Sequence, residues 1–272
     1  MTVTLGPDAA RYWIAAQGLP VARPFNLRWL LPAACGTNLR RWWSVWALSW
    51  PVLGGGIFWL AEDLGWQRAA FAAVVVLGLP GVWGPKVVRP VGVDLPSMAL
   101  AAISAAAAVH GWLWLAVAAA AIGAMIKESA PVWAALWAWS LWPLLALAVL
   151  VVPIAMGKTA IDSVTARPDL REIHDHPIRS SIKYRAGYWR SGWVMVAPWG
   201  AALAGLYAPS WRLLVVLAVA HAQLLVATDT VRLVAAGAGP AMAIAAASVL
   251  PVEWLPLAAV LHVFWFWDQK VV

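Results

Sequence analysis

The chain alternates long apolar runs with short polar connections, and the runs are too long and too even for strands. Apolar stretches cover Trp42–Ala61, Arg68–Trp83, Pro96–Ile126, Pro131–Pro153, Ala197–Ala208, Leu213–Thr228, Val231–Leu250 and Trp254–Trp267. Runs of this length predict helices, and about 20 apolar residues suffice to cross a bilayer. The pattern predicts an all-α, polytopic integral membrane protein with about 7–9 apolar helical segments. Pro51 and Gly54–Gly56 predict a kink in the first run, and His110-Gly111 leaves Pro96–Ile126 open as one long helix or two short ones. Before these runs, Pro7 and Asp8 open a short helix that Gly18 and Pro20 stop. Arg23–Pro32 is too short to span, and its Arg/Trp mixture suits an interfacial or re-entrant element.

These breaks divide the chain into four parts. Residues 1–41 form an amphipathic, interfacial N-terminal segment, 42–153 a first transmembrane helix group, 154–191 a basic polar loop, and 192–272 a second transmembrane group. The loop carries seven Lys/Arg against four acids, which the positive-inside rule places in the cytoplasm. The N-terminal residues, with Asp8 and Arg11 and no apolar h-region, do not read as a cleavable signal peptide.

Composition strengthens the membrane reading. Hydrophobic residues make up 63% of the chain and charged residues 11%, against roughly 25% charged in ordinary soluble domains. Many of the 22 tryptophans lie near the ends of apolar runs, as interfacial anchors do. The net charge of +7 then points to anionic lipid, not nucleic acid. Membrane lipids are the expected partner, and a bacterial plasma membrane the expected location. The single cysteine, Cys35, excludes an internal disulfide and a Cys-based metal cluster.

Little in the chain announces chemistry. There is no P-loop, no Gly-rich dinucleotide fingerprint and no HExxH. His174 and His176 would face apart on a helix, so no metal site is assigned. His110, His221 and His262 lie within apolar runs and read as buried neutral imidazoles bonded to a carbonyl or to a neighbouring helix, in preference to a proton relay, since no chain of carboxylates accompanies them. The charges at segment junctions are more informative, because an ionisable group at membrane depth must pair, meet water or sit at an interface. Asp8 and Arg11 are one such pair, with Tyr12 on the same helical face. Lys127-Glu128 is another, and Asp229 with Arg232 a third. Each pair reads either as a self-neutralising interfacial ion pair or, together with Arg28 and Lys86, as part of one cavity at the membrane surface. Such a cavity offers a carboxylate base and several cations for a phosphate.

Three stretches carry a family resemblance. Asp8-Ala-Ala-Arg11-Tyr12, with Gly18 and Pro24-Phe25-Asn26-Leu27-Arg28-Trp29-Leu30-Leu31-Pro32, resembles the entry region of GT-C type polytopic glycosyltransferases. Gly123–Pro131, with Lys127-Glu128 at its centre, is similar to a Lys/Arg-Glu step in bacterial members. Ala227–Leu233 followed by Gly239-Pro240 resembles their late Asp-x-x-Arg element. The resemblance implies inverting transfer of a sugar from a lipid-phosphate-linked donor to an envelope or lipid acceptor. It implies Asp8 as base and Arg28, Lys127 and Arg232 as candidates for the phosphate. Arg11, Tyr12, Glu128 and Asp229 complete the candidate substrate-binding set; no cofactor is expected, and a divalent metal is left open. Family members place a transmembrane helix before the acidic residue and are usually larger, so the chain would be a minimal or degenerate member. Two other functions remain: a non-enzymatic subunit or accessory protein of envelope assembly, which tolerates Ala at Asp8, Lys127 and Asp229, and a small transporter. The scarcity of intramembrane polar residues argues against transport.

Overall fold

The computed structural model describes residues 7–19, 21, 25–79, 82, 91–151, 199–223 and 231–267. The described residues form helices joined by turns, with no strand, so the fold class is all-α. They fall into two compact units. Unit 1 comprises Met1–Leu60 with Pro85–Val164, and unit 2 comprises Ala61–Gly84 with Thr165–Val272. Among the described residues no helix is long and apolar enough to cross a membrane.

Unit 1 begins with α1 (Pro7–Ala16) and α2 (Leu30–Cys35). Gly18 follows α1 at φ +74, a left-handed conformation that ends the helix where the sequence places its stop. The long α3 (Leu39–Leu60) is a single helix through Pro51. The Pro96–Ile126 run is two helices, α5 (Asp94–Val109) and α6 (Leu113–Ile126), while α4 (Trp66–Gly78) lies in unit 2. Gly111 at φ +78 makes the turn between them. The buried Ser104 hydroxyl donates to the Ala116 carbonyl at 2.7 Å, which ties the hairpin internally.

The expected span Pro131–Pro153 is also broken. Helix α7 (Ala130–Ala138) ends at Trp139, which adopts φ +53, and a 3₁₀ helix follows over Trp142–Leu150. Pro143, near the start of that second piece, cannot donate the hydrogen bond that a continuing α-helix needs there.

Small residues let the unit 1 helices close up. Helix α3 packs on α5, and α5 on α6 and α7. A Cβ on Gly56 would lie 2.9 Å from the Ala102 Cβ and 3.1 Å from the Ile103 amide nitrogen, so only glycine permits this approach. Ala102, Ala105, Ala106 and Ala107 of α5 are fully buried. The N-terminal segment packs into this unit: Tyr12, Phe25, Leu31 and Cys35 form one buried cluster with Trp42, Val93 and Ile126.

Unit 2 is built from α4 (Trp66–Gly78), a 3₁₀ helix over Gly200–Leu206, α8 (Trp211–Ala222), α9 (Val231–Val249) and α10 (Leu255–Trp267). The Ser210 hydroxyl caps α8 by accepting from the Leu213 amide at 3.2 Å. Arg68 of α4 donates to the Ala247 and Ser248 carbonyls at 2.6 and 2.7 Å, supplying partners at the C-terminal end of α9.

His262 joins three unit 2 elements. The Ala201 amide donates to its Nδ1 at 3.2 Å, so its Nε2 carries the proton and donates to the Val75 carbonyl at 2.8 Å. His110 and His221 also bond backbone carbonyls, those of Trp59 and Leu217. All three apolar-run histidines thus have the carbonyl partners that the sequence suggests.

Candidate functional site

The polar cluster of unit 1 forms where the open end of the α5–α6 hairpin meets the N-terminal segment. Helices α5 and α6 have 16 and 14 residues, or about 24 and 21 Å at 1.5 Å per residue. A short turn makes them antiparallel, so the N-terminus of α5 and the C-terminus of α6 lie at the same end. Asp94 occupies the first turn of α5, and Lys127 is the residue that ends α6. Each charge suits its helix dipole, negative at an N-terminus and positive at a C-terminus. The two meet, with Lys127 Nζ 2.7 Å from Asp94 Oδ1, and their side chains are only 12% and 13% exposed.

Glu128, the next residue, turns to the N-terminal segment instead. Arg28 grips it at two points: Nε donates to Oε2 at 2.8 Å and Nη2 to Oε1 at 2.6 Å. The third guanidinium nitrogen, Nη1, donates to the Tyr12 hydroxyl at 2.9 Å. The fork geometry of arginine makes this possible, since one planar group serves two acceptors in fixed directions.

Phe25 completes the cluster. Its ring lies 5.2 Å from that of Tyr12, with the Arg11 and Arg28 guanidinium carbons 4.8 and 5.4 Å from its centroid. Two cations on one ring gain from its quadrupole as well as from their carboxylates. Asp8 closes the outer edge, 3.3 Å from Arg11 Nη1, and is the most exposed member, with 47% of its side chain accessible.

Burial and pairing shift the titrating groups in opposite directions. Burial pushes the Tyr12 hydroxyl well above its usual range, and the neighbouring Arg28 only partly offsets this. For Glu128, burial favours the neutral acid, but the hydrogen bonds and charge of Arg28 outweigh it and hold the carboxyl below its ordinary value. Burial likewise opposes the charge on Arg28, and the Glu128 contact overrides it. At neutral pH Tyr12 therefore stands as a neutral phenol beside the Arg28–Glu128 ion pair.

Several expected site residues thus come together across long sequence separations. Asp8, Arg11, Tyr12, Arg28, Lys127 and Glu128 all belong to unit 1, and they contribute to three ion pairs, Asp8–Arg11 and Arg28–Glu128 beside Tyr12 and Phe25, and Lys127–Asp94. The structure corrects one detail. Lys127 and Glu128 are not a self-neutralising pair, because each takes a distant partner. Arg28 and Lys127, expected as phosphate ligands, already face carboxylates. Asp94 and Phe25 were missed as members. The signal for Asp94 was its place at the head of an apolar run, which mirrors Lys127 at the tail of the next.

Other expected residues lie elsewhere or beyond the description. Arg232 stands in the first turn of α9 in unit 2, and its side chain is not described. Asp229, Lys86 and the loop carrying His174 and His176 lie outside the described residues. Among the described residues no group of three His, Cys, Asp or Glu is placed to hold a metal ion. No protein-family model, no curated protein and no solved structure matches this chain.

Proposed function

We propose that the chain is a membrane glycosyltransferase of GT-C type, acting on a lipid-phosphate-linked sugar at the Asp8–Arg28–Glu128 cluster. One observation carries this reading. The two stretches that resemble the family, at 8–32 and 123–131, are joined by the Arg28–Glu128 pair. Asp8 is the exposed carboxylate of the cluster and acts as base. It takes the proton from an acceptor hydroxyl, whose oxygen attacks the anomeric carbon from the face opposite the phosphate. The carbon–phosphate-oxygen bond breaks, and the lipid phosphate leaves with both electrons of that bond. Arg28 and Lys127 are the cations proposed to receive it, each exchanging part of its carboxylate contact for the phosphate. The membrane setting is supported by the apolar composition and by exposed large side chains such as Leu48, Trp114 and Leu141.

The test is sugar transfer from a radiolabelled lipid-linked donor by the purified full chain in lipid. Wild-type transfer by Asp8→Asn removes Asp8 as base, and the absence of transfer by the wild-type chain across a donor panel removes the enzyme reading.

A second reading has its own observation. The cluster is internally balanced, three carboxylates against three cations, so it also suits a non-enzymatic membrane subunit in which these contacts hold the N-terminal segment in place. It expects Arg28 and Glu128 to matter for stability, and Asp8 to matter for nothing.

A further inference from the structure

Unit 1 has two chemically different ends. At one end lie Asp94, Lys127, Glu128 and Arg28, with the exposed Arg40 and Arg41 at the start of α3. At the other, the His110 ring stacks on Trp59 with centroids 5.4 Å apart and planes 4° apart. Trp112 packs edge-on against Trp59 at 5.8 Å, and both Trp112 and Trp114 are exposed.

Between the two ends the helices carry no charge. Residues 42–60 of α3, 95–109 of α5 and all of α6 lack Asp, Glu, Lys and Arg. Apart from Ser44 near the charged end, their exposed positions are apolar. On α3 the exposed residues Leu48, Val52 and Phe58 share a face, and on α6 Trp114 and Ile122 do so. No described helix is by itself long and apolar enough to cross a membrane, but the uncharged part of α3, about 28 Å long, approaches the ~30 Å hydrocarbon core of a bilayer, and the bundle as a whole presents the collar. Water is a poor solvent for such a collar, whereas lipid suits it. Indole and imidazole at one rim and arginine at the other are what the two headgroup regions accept. Helices α5 and α6 are shorter than a full crossing, which a bilayer accommodates by local thinning.

We propose that unit 1 sits across a lipid bilayer as a bundle, with the Arg28–Glu128 cluster at one membrane face and the Trp59–His110–Trp112 cluster at the other. This rests on the membrane placement in the function proposed above, and not on sugar transfer.

The single cysteine makes the test direct. Cys35 is buried and is replaced by Ala in the full chain. A new cysteine is then placed at Thr37→Cys, exposed beside the charged end, or at Val109→Cys, exposed beside His110. Both are treated with a membrane-impermeant maleimide in intact spheroplasts and again after permeabilisation, with labelling in detergent as the measure of full reactivity. One site is expected to react in intact spheroplasts, and the other only after permeabilisation. Reaction of both from the same side overturns the proposal, as does release of the chain from membranes by alkaline carbonate. Asn38→Cys and Trp112→Cys, also at exposed positions, repeat the comparison should a first variant fail to fold. Asp8→Asn in the same background separates the two readings: lost transfer with unchanged labelling concerns the enzyme alone.

Discussion

Arg28 and Glu128 stand 100 residues apart in the chain and meet at two points, 2.8 and 2.6 Å, with Arg28 only 13% exposed. Removing one partner leaves the other charge largely buried. Arg28→Ala or Glu128→Ala should destabilise unit 1 by roughly 3 kcal/mol, the lower end of the range for broken buried pairs, because Glu128 keeps some solvent. The double variant Arg28→Met/Glu128→Leu should lose much less than the sum of the two. Thermal melts followed by circular dichroism in lipid nanodiscs give the comparison, and simple additivity would show that the pair is not coupled.

The same pair gives a signed pH dependence. The folded-state value of Glu128 lies below its ordinary value of 4.5. A depressed carboxyl contributes stability that is present above 4.5 and is lost as pH falls through the folded value. The melting difference between wild type and Glu128→Gln should therefore be full at pH 7 and shrink as the pH falls below 4.5. A difference that stays constant down to pH 3 would show that ionisation of Glu128 does not matter.

Asp8 separates catalysis from stability. It is half exposed and its Arg11 contact is 3.3 Å long, so the pair is worth less than about 1 kcal/mol. Asp8→Asn should leave the melting temperature nearly unchanged. If Asp8 is the base, the same variant should lower sugar transfer by at least about a hundredfold, the usual scale for a general base. Transfer and melting are measured on one preparation.

Adjacent glycines in α3 should respond with opposite signs. A Cβ on Gly55 meets nothing within 4 Å, whereas one on Gly56 meets Ala102 at 2.9 Å. Gly55→Ala should stabilise by up to about 1 kcal/mol through helix propensity. Gly56→Ala should destabilise by roughly 1–3 kcal/mol through overpacking against α5. Equal effects would mean that the α3–α5 approach is looser than described.

His262 should act as a structural brace. It is 1% exposed and bonds both Ala201 and Val75. His262→Leu leaves a part-buried amide and a buried carbonyl without that partner, a loss of roughly 2–4 kcal/mol. Hydrogen exchange at the Ala201 amide should speed up. Protection equal to wild type would remove the brace.

The sequence by itself determined the all-helical class, the stop after α1 and the placing of charges at segment junctions, and it marked His110-Gly111 as a candidate break without deciding between one helix and two. These features are local: apolar run length, glycine at a left-handed turn and proline near a helix start act within a few residues. The pairing of Asp8 with Arg11 was legible for the same reason, since i,i+3 positions share a helical face. The break at Trp139 was not, because nothing in an apolar run marks where a bulky residue will turn left-handed.

Only the tertiary structure decided which charge neutralises which. Lys127 and Glu128 are adjacent, so their side chains diverge, and neither can satisfy the other. Lys127 found Asp94 because two helices of nearly equal length return to the same end of a hairpin. Glu128 found Arg28 because the N-terminal segment packs Tyr12 and Phe25 into the unit 1 core and presents the guanidinium there. A sparsely charged chain fixes where its few ions stand, but packing chooses their partners, since an ion withdrawn from water takes the nearest opposite charge that the fold delivers.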